Sequence, residues 1–165
     1  MPFWFRFSGV ALSAALISGS FSPQDRTADL RARFSKETDP VHKAKLLTQL
    51  SDSEFRDIQN LVGEGNLTEA SPIANQLADE AESAVKALDA RGRDAERHPE
   101  GYKQVEISVR GSLRRIDTLL IELSGDDQKP FVDVRNRLDE LERQLIRELF
   151  PHRPDAPSAQ TAPKS

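Results

Sequence analysis

The side chains of this chain that could carry out chemistry are three histidines, many carboxylates and a group of arginines. His42, His98 and His152 fall in three different segments, and none has a glutamate three residues before it. The Glu-x-x-His pairs from which helical bundles build di-iron centres are therefore missing. The sequence also has no cysteine, which excludes disulfides and Cys-ligated zinc or iron–sulfur sites. We expect neither a metal site nor a cofactor.

Two acidic clusters could in principle supply the paired carboxylates of acid–base catalysis. They are Asp79, Glu80 and Glu82, and Asp139, Glu140 and Glu142. In both clusters the carboxylates alternate with apolar residues, which predicts a solvated outer helix face. Four acid–base pairs at i, i+4 support this interpretation: Glu82 with Lys86, Glu106 with Arg110, Asp133 with Arg137, and Asp139 with Arg143.

Serine nucleophiles and phosphate-binding loops lack their sequence contexts here. No serine stands in a Gly-x-Ser-x-Gly elbow, and no glycine-rich loop follows a predicted strand. The sequence therefore predicts a protein that is not an enzyme.

A small basic group offers the best candidate for contact with an anion or a partner. It consists of Arg110, Arg114 and Arg115, of which the first two share a helix face at i, i+4. Glu106 and Asp117 dilute its charge. With a formal net charge of −4, the chain gives no electrostatic reason to expect nucleic acid as a partner.

The run GRDAERHPEGYKQVE (residues 92–106) contains the only tyrosine, Tyr102, together with His98. Pro99 disfavours helical geometry at His98, so the chain is predicted to turn there. Glu100 is then expected to begin the next helix, and Tyr102 to cover the hairpin end with its hydroxyl in water. The alternative is that His98 and Tyr102 frame a polar binding spot.

Cationic side chains precede this turn. Arg91, Arg93 and Arg97 are predicted to lie at the end of a helix, where positive charge complements the helix dipole.

The first twenty residues, MPFWFRFSGVALSAALISGS, have the pattern of a secretory signal peptide. One positive charge, Arg6, precedes an apolar run from about Phe7 to Ile17, and small residues follow. The run is too short for a membrane span, which needs about 20 residues. We expect cleavage after Ser20, a periplasmic or extracellular protein, and no stable membrane span afterwards; an uncleaved N-terminal anchor is the alternative.

Residues 21–150 are predicted to be helical nearly throughout, and residues 151–165 to form a disordered Pro/Ala-rich tail. A short helix is expected from Asp25 to about Lys36. Asp39 should cap the next helix, with Pro40 in its first position. We expect that helix to run unbroken to about Val62, although SDSE (51–54) could instead open a separate helix.

A stop at GEGN (63–66) predicts the start of a further helix, in which Pro72 causes a kink unless Ser71 is the true cap. Two later stripes have near-heptad spacing: Val105, Val109, Leu113, Ile116, Leu120 and Leu123, and then Phe131, Val134, Leu138, Leu141, Leu145 and Leu149. Their short connection predicts an antiparallel helical hairpin. Gly125 should end its first helix, Asp126 or Asp127 should cap the second, and Pro130 should fall in the first turn. The fold class is therefore an all-α antiparallel bundle of one short and about four longer helices, without strands.

Three resemblances accompany this pattern. GNLTEASPIANQLADEA (65–81) resembles the inter-helix turn of a tetratricopeptide repeat, although Glu54 stands where that family has a bulky aromatic residue and Ile58 where it has glycine. LSDSEFRDIQNL (50–61) resembles the signature of small periplasmic helical stress chaperones, with Ser51 in place of threonine.

Over most of the chain the sequence resembles an uncharacterised family of exported bacterial helical proteins. DPVHKAKLLTQL, GRDAERHPEGYKQVEISVRGSLRRIDTL and RNRLDELERQLIRELF carry this resemblance. It implies an all-helical exported protein, and it supplies no activity or site residues to carry over.

The function expected from these features is an exported, non-enzymatic interaction or adaptor module of the cell envelope. A groove lined by Leu and Ile would bind another envelope protein. The alternative is a stress-responsive binder or sensor of a metal or an anionic ligand.

Overall fold

A computed structural model of the chain describes residues 23–92 and 94–152. These residues form five α-helices: α1 (Pro23–Lys36), α2 (Pro40–Gly63), α3 (Leu67–Asp89), α4 (Glu100–Glu122) and α5 (Lys129–Leu149). A 3₁₀ turn, Gly125–Gln128, precedes α5, and the described residues contain no strand. The predicted signal peptide, Arg93 and the tail from residue 153 lie outside the described residues.

The ends of α2 follow from its terminal residues. At the start, the Asp39 carboxylate accepts a hydrogen bond from the backbone N–H of His42 at 2.9 Å, and Pro40 occupies the first turn. At the end, Gly65 adopts φ +76°, and the N–H groups of Gly65 and Asn66 donate to the carbonyls of Val62 and Leu61. This is a Schellman motif, which glycine favours because it lacks a Cβ atom. The prediction of one unbroken helix here is confirmed.

Two starts were predicted for helix α3, one directly after GEGN and one with Ser71 as the cap, and the structure has the earlier one. It starts at Leu67, with Asn66 before it, so the prediction of Ser71 as the cap is wrong. Pro72 lies inside the helix and cannot donate a hydrogen bond to the carbonyl four residues back.

The hairpin of α4 and α5 is confirmed, but its turn differs from the prediction. Helix α4 ends at Glu122, and Gly125 opens the 3₁₀ turn with φ +61°. Neither Asp126 nor Asp127 caps α5, because the 3₁₀ turn feeds directly into its first turn, where Pro130 lies as predicted. The side chain of Gln128 satisfies the end of α4 instead, donating at 2.8 Å to the carbonyls of Leu120 and Leu123.

The helices assemble as an antiparallel bundle with one core. Helix α2 packs on α3 and α4, and α5 closes the opposite side by packing on the same two helices. Helix α1 packs on the outside of α2 through Leu30 and Phe34, which are 5% and 4% exposed. The all-α bundle is therefore confirmed, with α1 as an edge element attached to a four-helix body. Among the described residues, no helix is both long and apolar enough to cross a membrane.

Candidate functional site

The most unusual polar group of the described residues lies where α1, α2 and α3 meet. One guanidinium nitrogen of Arg31 on α1 lies 2.6 Å from Oε1 of Glu54 on α2. Its Nε lies 3.3 Å from Oε1 of Glu80 on α3. A single cation therefore bridges two carboxyl groups on two helices. We call these three residues the carboxyl-pair site.

Both carboxyl groups are withdrawn from solvent. Glu54 is 0% exposed and Glu80 is 7% exposed, whereas about a third of the Arg31 side chain meets water. The second oxygens, Oε2 of Glu54 and Oε2 of Glu80, are buried and have no hydrogen-bond donor. Because an unsatisfied buried charge is costly, two ionised carboxylates cannot be stable here beside one arginine.

The pKa values of both glutamates follow from this environment. Burial, and then the nearby charge of Glu80, raise the pKa of Glu54 to about 8, against the opposing effect of Arg31. Burial also raises the pKa of Glu80, against the opposing effects of Glu54 and Arg31. A raised pKa favours the protonated form of a buried carboxyl group, which needs no counter-charge. Arg31 supplies a single positive charge for the two carboxyl groups.

A second polar contact fixes α1 one turn earlier. The Thr27 hydroxyl donates to Oδ2 of Asp57 at 2.7 Å, and Ser53 lies 2.7 Å from the same hydroxyl. With the Thr27 proton used for Asp57, Ser53 donates to Thr27. In this chain of hydrogen bonds from Ser53 to Thr27 to Asp57, each hydroxyl donates one bond to the next group.

The prediction that all the acidic clusters lie on the outer helix face is wrong for Glu80. Asp79 and Glu82 are exposed as predicted, but Glu80 points into the junction. Glu54 was not predicted as a site residue at all. The sequence did contain a signal for its burial. Glu54 continues the apolar stripe of Leu47, Leu50 and Ile58, in which successive positions are three or four residues apart.

The predicted basic group does not form a shared binding surface. Arg110 contacts Glu106 and lies 3.3 Å from Glu142 on α5. Arg115 turns towards α2, 2.6 Å from Asp52, with its guanidinium over the ring of Phe55. Arg114 is exposed on α4. The structure therefore separates the three side chains instead of collecting them around one ligand.

The predicted turn at His98 is present, with the His98 N–H donating to the carbonyl of Asp94 at 2.9 Å, but Tyr102 differs from its prediction. Its side chain is 2% exposed, and its hydroxyl donates to Asp89 at 2.9 Å instead of pointing into water. Burial and the Asp89 carboxylate raise the pKa of Tyr102. His98 is exposed in the turn. Tyr102 therefore ties α4 to the end of α3.

Two of the four predicted i, i+4 pairs are formed, although Glu106 is buried and does not lie on a solvated face. Arg110 contacts Glu106, and Arg143 lies 2.7 Å from Asp139. Arg137 crosses to α3 instead, at 2.5 Å from Asp79 and 2.8 Å from Glu82, so it joins two helices. The i, i+4 spacing predicted a contact with Asp133 on the same helix, whereas the packing of α5 on α3 gives Arg137 partners on α3.

A groove of about 1080 Å³ runs between α1 and α3 beside the carboxyl-pair site. Its apolar lining comes from Ala28, Ala32, Phe34 and Pro72. Neutral polar side chains also line it: Ser35, Asn75, Gln76 and Ser83. Two further lining residues, Lys43 and Asp79, are charged. Arg31 and Glu80 also line the groove, so the groove and the carboxyl-pair site are adjacent.

Within the described ranges, no group of three or more His, Asp or Glu side chains is placed to hold a metal ion. No protein-family model, curated protein or solved structure matches the chain. The groove and the carboxyl-pair site are therefore the features of the described residues that bear on function.

Proposed function

We propose that this protein is an exported, non-enzymatic interaction module whose groove between α1 and α3 binds a segment of another envelope protein. The observation that carries this proposal is the composition of the groove: alanines, Pro72 and Phe34 lie beside neutral amide and hydroxyl groups, and the charged lining residues already have partners within the bundle. Small apolar side chains allow a close approach, and amides or hydroxyls can hydrogen-bond a peptide backbone. The lining is smaller and more polar than the Leu/Ile-lined groove expected from the sequence.

The charges around the groove favour a neutral partner segment. Arg31 and Glu80 are engaged with each other, and Asp79 is held by Arg137 of α5. The Lys43 ammonium lies over the Phe34 ring, 4.6 Å from its centroid. A partner segment with small apolar side chains would bury the floor without competing for these contacts.

Site-specific photo-crosslinking in the source organism tests this function. A photoreactive residue would replace Ser35 or Ser83 in the groove, and Thr118 on the exposed side of α4 as the control. We expect the same adduct from both groove positions, none from Thr118, and loss of the adduct in Ala32→Arg with an unchanged melting temperature. Identical adducts from the groove and from Thr118 would contradict the proposal.

Export forms part of the same proposal and rests on the pattern of residues 1–20. Fractionation of the source organism followed by mass measurement tests it. We expect the chain outside the cytoplasm, beginning at Phe21. A chain that retains residues 1–20 in the cytoplasm would overturn this part of the proposal.

A further inference from the structure

We infer that the carboxyl-pair site is a proton-binding site that controls whether α1 stays docked on the bundle. The inference starts from the balance of charges and donors. Glu54 and Glu80 bring two carboxyl groups, and Arg31 brings one cation that contacts only their Oε1 atoms. The two Oε2 atoms are buried without a donor. One proton between the carboxyl groups satisfies both atoms and balances the charge.

Helix α1 creates this demand for a proton. Arg31 belongs to α1, which packs on α2, and its guanidinium contacts both Glu54 and Glu80. When α1 leaves, water can reach the carboxyl groups, so each can ionise at its ordinary pKa. The docked state therefore holds more protons than the undocked state between about pH 4.5 and pH 8. Docking is fully favoured below that interval and weakens as the pH rises through it.

The other charged groups near the junction do not replace this proton. From α2, Asp57 is occupied by the Thr27 hydroxyl. From α3, Asp79 is bound by Arg137 of α5. Lys43 of α2 lies over the Phe34 ring, 4.6 Å from its centroid. Of the charged groups near the junction, Arg31 and Glu80 interact with Glu54, whereas Asp57, Asp79 and Lys43 are engaged elsewhere.

The remaining contacts of α1 are few enough for the proton to matter. Leu30 and Phe34 supply its buried apolar side chains, and Thr27 supplies the second polar contact. Release of one proton changes the docking constant by up to tenfold per pH unit. Helix α1 provides Ala28, Ala32 and Phe34 to the groove. If the proposed function holds, partner binding should therefore strengthen as the medium becomes more acidic.

Hydrogen exchange measured on the full chain tests the proton site without any partner. The protection of the 23–36 segment, corrected for the chemical exchange rate, would be compared at pH 6.0 and pH 8.5. We expect protection of α1 to fall at least tenfold at the higher pH, while the 131–149 segment keeps its protection. Because no partner is involved, failure of the proposed groove function would leave this result unchanged.

Two variants make the test specific. Glu54→Gln replaces the protonated carboxyl with a neutral group of the same shape, so α1 should remain protected at both pH values. Asp57→Asn also removes a carboxylate that contacts α1 but leaves the carboxyl pair intact, so the drop should persist. Equal protection of wild-type α1 at pH 6.0 and 8.5 would overturn the inference. So would a drop of the same size in Glu54→Gln with the 131–149 segment still protected. If Glu54→Gln does not fold, the wild-type comparison still decides the question.

Discussion

The α4–α5 hairpin and the α1–α2–α3 junction show two ways of closing the core of one bundle. In the hairpin, the stripe of α5 is made of hydrocarbon side chains, and Phe131, Val134, Leu138 and Leu145 are 0% exposed. In the junction, positions of the same kind hold Glu54 and Glu80. The hairpin has one buried carboxylate, Glu106, which has its own cation in Arg110 of the same helix. In the junction, two buried carboxyl groups share the single cation of Arg31.

This difference shows that a carboxyl group can occupy a buried position in the apolar stripe of a helix when two other helices supply its partners. Arg31 on α1 and Glu80 on α3 both reach Glu54 on α2. Such a site is weak evidence for stability, because removing charges from water costs more than most ion pairs return. Its value lies in making the attachment of α1 sensitive to pH.

The largest expected effect breaks the hairpin. Phe131→Ala should lower the free energy of unfolding by about 3–5 kcal/mol, because it removes a fully buried aromatic side chain and leaves a cavity. Urea unfolding at pH 6.0 and 8.5 should give the same loss at both values. A loss that changes strongly with pH would contradict the contrast between the two regions.

The next largest loss of stability is expected from a substitution in the α1–α2–α3 junction. Arg31→Leu should cost about 1–3 kcal/mol at pH 8.5, because it removes hydrogen bonds to charged partners from a buried pair. The cost should shrink at pH 5.5, because burial raises the pKa of both carboxyl groups and a carboxyl group that takes up a proton no longer needs the cation. Unfolding of Arg33→Leu, a substitution at an exposed position of the same helix, is the control. The same cost at both pH values would show that Arg31 acts only through packing.

A smaller effect tests the turn that joins the two regions. Tyr102→Phe removes the hydrogen bond to Asp89 but keeps the buried ring, and should cost about 0.5–1.5 kcal/mol. Thermal unfolding at pH 7 measures this loss. An unchanged midpoint would show that solvent already satisfies Asp89 and that the ring alone joins α3 to α4.

The smallest effect separates exposed charge from buried charge. Arg114→Ala should change the free energy of unfolding by less than about 0.5 kcal/mol, because its side chain is exposed on α4. Urea unfolding beside Arg31→Leu gives the direct comparison. A loss comparable to that of Arg31→Leu would mean that Arg114 makes a structural contact.

Much of the fold could be predicted because local signals marked its boundaries. Asp39 and Pro40 start α2, Gly65 ends it, and the stripes from Val105 and Phe131 give the hairpin. The turn into α5 could not be predicted as reliably. Asp126 and Asp127 are good caps in general, but Gln128 satisfies the end of α4 from within a 3₁₀ turn.

The carboxyl-pair site was missed because its members are far apart in sequence and each looks ordinary alone. Glu80 lies between exposed Asp79 and Glu82, so its neighbours predict a solvated face. Only the contact with α1 shows that its side chain is buried. The prediction of a basic binding surface was wrong for the opposite reason, because its members are close in sequence but contact different groups. Arg115, for example, pairs with Asp52 of α2.

The link between α1 and α2 adds a mechanical consequence to the proton site. Only residues 37–39 separate the two helices, and Asp39 is extended, with φ −79° and ψ 113°, as expected before a proline. Released α1 therefore cannot straighten into a continuation of α2, and its short tether keeps it at a high effective concentration beside its own docking surface. Its motion is that of a hinged flap, for which reclosure needs no search through solution.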